Sequence, residues 1–201
     1  MKKIRLITLM AIFAFLLTNL QAQDHKSAIT VNAGFSLVGG LFDLPDAGNT
    51  TGDVSSYSLP AIQVGYDYFI LNWFSVGAAG SFQFMGVDYD NYVDENGETV
   101  NGTLDIVRSN FAARALFHYF NKGRLDMYSG VRLGLTNWAI SDDLSNESYD
   151  YNSVVSSTGT NFAPQLILYG LRGYITENIG LNAELAVGAP HFFSAGLNYR
   201  F

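Results

Sequence analysis

Alternation of apolar and polar residues dominates this chain, and its last nine residues (193–201, FSAGLNYRF) show the pattern most clearly. In an extended strand one face would carry the apolar residues Phe193, Ala195, Leu197, Tyr199 and Phe201. The opposite face would carry small polar residues and a full charge, Arg200. This combination is typical of a membrane barrel strand, with lipid outside and a polar lumen inside.

The same period recurs along the chain and predicts eight strands, because polar segments without a period separate the alternating runs. The strands are expected over residues 28–37, 58–68, 73–85, 104–119, 125–138, 162–174, 179–188 and 193–201. The sixth of them is the least regular. There we place Ile167, Tyr169 and Leu171 outward, and Gly170 and Arg172 inward.

The connections between these strands alternate in length. Long polar connections are expected over residues 38–56, 86–103 and 139–160, and short turns at 69–72, 121–124, 176–178 and 188–190. Bacterial outer-membrane barrels have an even number of antiparallel strands, short periplasmic turns and longer outer loops. The pattern therefore predicts an all-β fold, an eight-stranded antiparallel up-and-down transmembrane β-barrel with both chain ends in the periplasm.

The end of the chain resembles the C-terminal signal by which the outer-membrane assembly machinery recognises β-barrel proteins. The residues that carry this likeness are Phe193, Leu197, Tyr199 and the terminal Phe201. Over the whole mature chain, strand number, strand length and loop asymmetry resemble the small eight-stranded outer-membrane β-barrel family, the porin-like group that includes the OmpA barrel and OmpX. The ending AELAVGAPHFFSAGLNYRF is similar to barrels from Bacteroidetes.

The first residues have the composition of a secretion signal. Lys2, Lys3 and Arg5 precede an apolar run over residues 6–17, and a short polar segment ends at Ala22. The run is shorter than the ~20 apolar residues that a transmembrane anchor needs. We expect residues 1–22 to be a cleaved signal peptide and residues 23–201 to form the outer-membrane barrel of a Gram-negative bacterium.

The amino-acid composition limits the possible classes of protein further. The chain has no cysteine, 20 glycines, 14% aromatic residues and a mean hydropathy of +0.12. Since a small exported domain usually relies on disulfides, closure of a barrel is the expected source of stability. The net charge is −7 even with the three basic residues of the leader included. Nucleic acid is therefore not an expected partner.

Aromatic residues cluster where the short turns would meet the inner leaflet, and they predict a periplasmic girdle. Its members are Tyr68, Trp73, Phe74, Phe117, Tyr119 and Tyr174. A soluble β-sandwich would also use core aromatics, but it would leave the apolar face opposite the strand arginines without a partner sheet. A soluble lipocalin-like barrel would need the reverse polarity, with apolar residues inside.

The ionised residues on the polar faces predict a charge network inside the lumen: Asp67, Arg108, Arg114, Arg132, Arg172, Glu184 and Arg200. An eight-stranded barrel is just wide enough for side chains to fill it, so these groups should contact one another. We expect Glu184 to pair with Arg132 or Arg114. Two interpretations follow: a plug of salt bridges that holds the barrel closed, or the lining of a narrow, anion-preferring pore.

The three long connections contain acidic residues and neither Lys nor Arg. The acids are Asp43, Asp46, Asp53, Asp88, Asp90, Asp94, Glu95, Glu98, Asp142, Asp143, Glu147 and Asp150. Their oxygens could bridge divalent ions to one another or to lipopolysaccharide phosphates. The segment that begins at Asp88 lacks the glycine of an EF-hand loop, so no metal site is predicted and a solvated, repulsive surface is the expected role.

Catalytic chemistry is not expected. The chain has three histidines, His25, His118 and His191, and no serine is placed by the pattern beside a histidine with a carboxylate behind it. We predict neither an enzyme nor a cofactor. The predicted function is an integral outer-membrane protein with a structural or surface-contact role through its acidic loops. The alternative is a narrow porin-like channel for small solutes. Expected partners are outer-membrane lipid, lipopolysaccharide and the barrel assembly machinery, and a monomer is expected.

Overall fold

The computed structural model describes residues 26–37, 53–93, 99–144 and 159–201. Within these residues the chain forms nine strands: β1 (Ser27–Phe35), β2 (Asp53–Ser58), β3 (Ala61–Leu71), β4 (Phe74–Val93), β5 (Thr99–Lys122), β6 (Leu125–Leu144), β7 (Thr160–Tyr174), β8 (Ile179–Gly188) and β9 (Phe193–Arg200). Among these residues no helix has both the length and the apolar character needed to cross a membrane.

All strand pairings are antiparallel, and the sheet closes on itself. Neighbours run β3-β1-β9-β8-β7-β6-β5, and β4 pairs with both β3 and β5. Strand β2 pairs with β4 beyond the end of β3, so β2 and β3 are two parts of one barrel strand. They are separated at Leu59 and Pro60, where proline has no N–H to donate to a neighbour. The prediction of a closed eight-stranded antiparallel barrel is confirmed.

Three strands are much longer than predicted. Strands β4, β5 and β6 contain 20, 24 and 20 residues, whereas β8, β9 and β1 contain 10, 8 and 9. The extra length lies opposite the short turns at 72–73, 123–124 and 175–178. We name the barrel end with these turns the turn end and the opposite one the loop end. The added residues form a protrusion together with β2 and the adjoining ends of the predicted strands. We call this protrusion the tall wall: 53–58, 85–93, 99–107 and 137–144.

The predicted connections over 38–56, 86–103 and 139–160 were therefore wrong in part, since each contains residues of the tall wall. Alternation continues there with its polarity reversed. On β4, Asp88 and Asp90 are exposed while Met85 is buried and Val87 and Tyr89 are partly buried. The alternation expected of a membrane strand, with apolar residues outside and polar residues inside, ends at this reversal. These segments were therefore predicted as loops.

The predicted outward position of Ile167 was also wrong, because its side chain is fully buried inside the barrel. Strand β7 contains a β-bulge at this point, seen as register shifts opposite both β6 and β8. Leu168 and Tyr169 are consecutive and both exposed, so the alternation resumes one residue late. After the bulge Tyr169 lies outward and Gly170 and Arg172 lie inward, as the sequence predicted.

We call the part of the barrel between the turn end and the tall wall the lower half, and the tall wall the upper half. In the lower half the exterior is apolar, and the interior is polar apart from one buried cluster of Leu116, Tyr128, Ile167 and Ala186. Inside, Arg132 and Arg172 are 1% and 0% exposed. Outside, Phe111 and Leu133 are 60% and 54% exposed. The predicted signal peptide, residues 1–22, lies outside the described residues, as do Asp43, Asp46, Asp94, Glu95, Glu98, Glu147 and Asp150 of the predicted acidic connections.

Candidate functional site

Glu184 on β8 is the centre of a buried network that crosses the lumen. Its Oε1 lies 3.0 Å from Nη2 of Arg114 on β5, and its Oε2 pairs with Nη2 of Arg132 on β6. The hydroxyl of Tyr128 donates to Oε1 at 2.7 Å. Side-chain exposure of Glu184, Arg114 and Arg132 is 1% or less. The structure thus brings Glu184 into contact with both of the arginines proposed as its partners.

A second carboxylate, Asp67 on β3, extends the network toward the turn end. Its Oδ1 lies 2.9 Å from Nε of Arg114, and its Oδ2 lies 2.5 Å from Nη2 of Arg172. Arg172 also approaches Asp126, with Nη1 and Oδ2 3.4 Å apart, and its guanidinium lies 4.6 Å from the centre of the Tyr128 ring. Arg114 and Arg172 therefore join three carboxylates into one connected cluster.

This cluster connects five strands, β3, β5, β6, β7 and β8, through paired charges across the lumen. A buried ion that loses its partner destabilises a protein by several kcal/mol, so paired groups of this kind hold one arrangement of the strands. Arginine can satisfy two acceptors at once through its planar guanidinium, which explains how Arg114 and Arg172 each bridge two acids. Salt bridges across the lumen are the contacts that the plug interpretation requires.

Arg108 lies apart from the carboxylates, near the loop end of the lumen. Its Nη2 donates to Oγ of Ser36 at 3.0 Å and to the carbonyl of Pro190, and its guanidinium lies 5.6 Å from the centre of the Trp138 ring. Pro190 belongs to the turn between β8 and β9, which folds into the barrel. The next residue, His191, is 1% exposed, and its carbonyl accepts a 2.6 Å hydrogen bond from Gln165. Arg108 thus anchors a turn that covers the charge cluster.

Arg200 does not join the network, contrary to the sequence-based prediction. It is the last residue of β9, at the rim of the turn end, and it is only partly buried. Its Nε donates to the carbonyl of Glu177 at 2.6 Å, and its guanidinium lies 3.8 Å from the centre of the Tyr174 ring. An inward position is not sufficient to reach the cluster when the residue lies at the mouth of the barrel.

Of the six residues predicted for an aromatic girdle, five lie toward the outside of the barrel near the turn end and one does not. Tyr68, Trp73, Phe117 and Tyr119 are 45–55% exposed on the outer surface, and Phe74 packs 5.1 Å from Phe117 between ring centres. The exception is Tyr174, which is 5% exposed and faces the lumen. It lies two residues after Arg172 on the same strand, and such residues share a face.

The residues of the predicted assembly signal lie on the outer surface of β9. Phe193, Leu197 and Tyr199 are 48%, 58% and 40% exposed, and Phe201 is partly buried. The backbone of Phe201 exchanges two hydrogen bonds with Ser27 of β1, at 2.9 and 3.0 Å. The end of the chain is therefore part of the closure between the last and first strands.

The structure brings together a serine, a histidine and a carboxylate that the strand pattern did not place side by side. Ser75 Oγ lies 2.8 Å from His118 Nε2, and His118 Nδ1 lies 2.7 Å from Oδ1 of Asp126. His118 and Asp126 lie on either side of the turn between β5 and β6, and both occupy inward positions of the alternation. The sequence could therefore have predicted that these two side chains lie close together. Ser75 comes from β4, and the register between β4 and β5 brings it to His118.

The tall wall has an apolar inner face and an acidic outer face. Inside, Met85, Leu104 and Ile106 are buried together, with partly buried Val87, Tyr89, Trp138 and Ile140 packed against them. Outside, the exposed acids are Asp88, Asp90, Asp105 and Asp143. Tyr57 of β2 donates to Asp105 Oδ1 at 2.9 Å, and this hydrogen bond raises the pKa of Tyr57 above its usual 10.0. Within the described residues, no group of three or more potential metal ligands occurs.

The chain was compared with protein families, curated proteins and solved structures, and similarity was found to solved structures. No protein-family model and no curated protein matches the chain. The chain is similar to a de novo designed protein, TMB2.3, at 15% identity and a TM-score of 0.44, over 90% of this chain and 98% of that one. It is similar to Ail, the attachment invasion locus protein of Yersinia pestis, solved with the heparin analogue sucrose octasulfate, at 13% identity and a TM-score of 0.44, over 89% of this chain and all of Ail. The fold assignment rests on the strand pairing.

Proposed function

We propose that the chain is an integral protein of a Gram-negative outer membrane, which places its tall wall outside the cell as a contact surface. In this proposal the turn end faces the periplasm, residues 1–22 are removed on export, and the barrel acts without a cofactor. No catalytic step is part of this function.

The observation that carries the proposal is the reversal of polarity along β4, β5 and β6. Toward the turn end, the outer positions are apolar, as at Phe82, Phe111 and Leu133, and the lumen is polar. Toward the loop end, the outer positions are acidic and the inner positions are apolar. A change of surroundings from hydrocarbon to water accounts for both arrangements, since exposed charge is disfavoured in lipid and exposed apolar surface is disfavoured in water.

The outer face of the wall suggests the chemistry of a partner. Asp88, Asp90, Asp105 and Asp143 are exposed there. Such a surface attracts cationic partners and repels anionic ones, and the attraction weakens as salt rises. Divalent ions that connect the wall to lipopolysaccharide phosphates would be one form of this contact. We propose lipid, lipopolysaccharide and, through the final strand, the barrel assembly machinery as partners, and a monomer as the state in the membrane.

Placement in the membrane can be tested with single cysteines, since the chain has none of its own. We expect Asp90→Cys and Asp143→Cys to react with a membrane-impermeant maleimide on intact cells. Asn121→Cys and Glu177→Cys, at the turn end, should react only after the outer membrane is permeabilised. Equal labelling of the two pairs on intact cells, or labelling of the turn end alone, would refute the orientation.

The contact role is tested by removing the charge of the wall. Cells that carry the combined variant Asp88→Asn, Asp90→Asn, Asp105→Asn, Asp143→Asn should adhere less to a polylysine-coated surface than cells with the natural chain, and the difference should shrink at high salt. Glu177→Gln, an exposed acid on the 175–178 turn at the opposite end of the barrel, serves as the control and should leave adhesion unchanged. Adhesion that does not respond to the four wall substitutions would contradict the contact role.

A narrow channel is the second candidate, and the contacts in the lumen do not favour it. Paired arginines and carboxylates cross the barrel with side-chain exposures of 2% or less. We expect the refolded natural chain to be silent in planar bilayers, and Glu184→Ala to conduct if its loss opens the plug. Steady conductance by the natural chain would support the channel instead.

A further inference from the structure

The turn end of the lumen contains a chain of three hydrogen-bonded side chains that the surface role does not use. Ser75, His118 and Asp126 are 0%, 4% and 1% exposed, and their two contacts measure 2.8 and 2.7 Å. A carboxylate accepts hydrogen bonds, so Asp126 favours the imidazole tautomer with its proton on Nδ1. Nε2 of His118 is then the acceptor for the Ser75 hydroxyl. This is the relation of nucleophile, base and orienting acid that activates a serine.

A cavity opens at the turn end and leads toward these three side chains. Its volume is about 380 Å³, and the residues around it include Lys26, Asn72, Asn121, Arg200 and Asp126. Asp126 therefore both lines the cavity and is hydrogen-bonded to His118. A small molecule that enters the cavity at the turn end can therefore contact Asp126, which is hydrogen-bonded to His118.

Phe69 separates the cavity from the serine. It borders the cavity, pairs directly opposite Ser75 in the register of β3 and β4, and its ring centre lies 4.6 Å from that of His118. It is partly exposed, whereas Ser75 is not. Rotation of this one side chain would connect the cavity to the Ser75 hydroxyl.

We propose that Ser75 is a nucleophilic serine that accepts acyl groups from small esters entering at the turn end. His118 acts as the base, Asp126 positions the imidazole, and Phe69 restricts access. The network of Arg114, Asp67 and Arg172 fills the lumen above the cavity, so the acyl group has to be short. This site is independent of the contact role of the wall.

The chemistry balances without a cofactor. Ser75 Oγ bonds to the ester carbonyl carbon while its proton passes to His118 Nε2. The bond to the alkoxy oxygen then breaks, and the alcohol leaves with that proton. Water attacks the acyl-serine in the same way, and the products are a carboxylic acid and free Ser75.

The test uses the full chain, refolded in detergent micelles, with p-nitrophenyl acetate as the probe. Mass spectrometry of the intact protein and its peptides should show one acetyl group, on Ser75. The adduct should be absent in Ser75→Ala and should form at least about 100-fold more slowly in His118→Ala. Ser81→Ala is the matched control, because Ser81 faces the same lumen from the same strand and should leave labelling unchanged.

Two further variants separate reactivity from folding. Phe69→Ala should increase the rate of acetylation, because it opens the path to Ser75. Asp126→Asn should lower the rate and shift its pH profile, a change that a merely structural residue would not produce. Circular dichroism verifies the fold of each variant. Absence of an adduct in both the natural chain and Phe69→Ala, or an adduct that persists in Ser75→Ala, would overturn the proposal.

Discussion

The inward residues of β4, β5 and β6 change from polar to apolar part-way along each strand. The lower half of the barrel can therefore be compared with the upper half within one molecule. In the lower half, inward positions hold Gln83, Arg114 and Arg132, and outward positions are apolar. In the upper half, inward positions hold Met85, Ile106 and Leu104 and outward positions hold acids. Backbone pairing continues through the change without interruption between β5 and β6. The same ladder therefore supports two opposite distributions of polarity.

Under the proposed placement in the membrane, this difference means that the medium outside the barrel, and not the strand itself, decides what the interior contains. Where lipid covers the exterior, apolar residues are accommodated outside and the interior can hold paired ions. Where water covers the exterior, apolar residues are buried against one another on the inner side of the wall. Four substitutions test this comparison, from the largest expected effect to the smallest.

The largest effect is expected from Glu184→Ala in the lower half. It leaves Arg114 and Arg132 buried without their shared carboxylate, and should reduce the free energy of unfolding by about 3–5 kcal/mol. Urea titration of the refolded protein, followed by tryptophan fluorescence, measures the change. Glu177→Ala, on an exposed turn, is the control and should have no effect. Equal stability of the two variants would show that the lumen network is not a closing element.

The next effect concerns charge on the outside. Val131→Arg, midway along the lower half of β6, should destabilise the inserted barrel by about 2–4 kcal/mol, because the charge would face hydrocarbon. Ser141→Arg places the same charge on the same face of the same strand above the reversal, and should cost at most about 1 kcal/mol. Unfolding in lipid vesicles measures both. A similar cost at both positions would place the membrane boundary elsewhere.

A smaller effect is expected inside the tall wall. Leu104→Ala removes packing from the cluster with Met85 and Ile106, and should cost about 2 kcal/mol. Thr103→Ala changes the neighbouring residue on the exposed outer face and should be close to neutral. The same urea titration distinguishes them. If neither substitution changes stability, the upper half does not contain a core of its own.

The smallest effect is expected on the surface of the wall. Tyr57→Phe removes the hydrogen bond to Asp105 but keeps the ring against Gly86, and should cost about 0.5 kcal/mol or less. A pH titration of tyrosine absorbance offers a sharper check. The variant should lack the one tyrosine whose pKa is raised by Asp105. A large loss of stability would mean that β2 depends on this contact for its attachment to β4.

Much of the barrel could be predicted because the evidence for it is local. Alternation along 179–188 and 193–201 identified both strands nearly to the residue, and the short turns identified the connection order. Inward charges such as Arg114, Arg132 and Glu184 were recognisable from their strand positions. The contact of Glu184 with both Arg114 and Arg132 was not, because it depends on distances across the lumen.

The wrong predictions have two physical causes: a strand pattern does not give the height or the surroundings of a side chain, and it gives the direction only while the alternation is unbroken. Arg200 and Tyr174 both face inward, yet they lie at the mouth of the barrel and pair with each other. Ile167 was assigned to the wrong face because a bulge inserts one residue without changing the composition of the strand. Ser75 and His118 are 43 residues apart in the sequence, and they meet because the register of the neighbouring strands β4 and β5 aligns them.

The amino-acid sequence by itself determined the fold class, the order of the strands and the polarity of the lower lumen, since each follows from residue type and a period of two. The tertiary structure decided the height of the wall, the partners of each buried ion and the meeting of Ser75, His118 and Asp126. The ion partners depend on closure of the sheet, which brings strands that are not neighbours to fixed distances across the lumen. The height of the wall and the meeting of the three side chains depend on the length and register of the neighbouring strands β4, β5 and β6. No local pattern contains either kind of information.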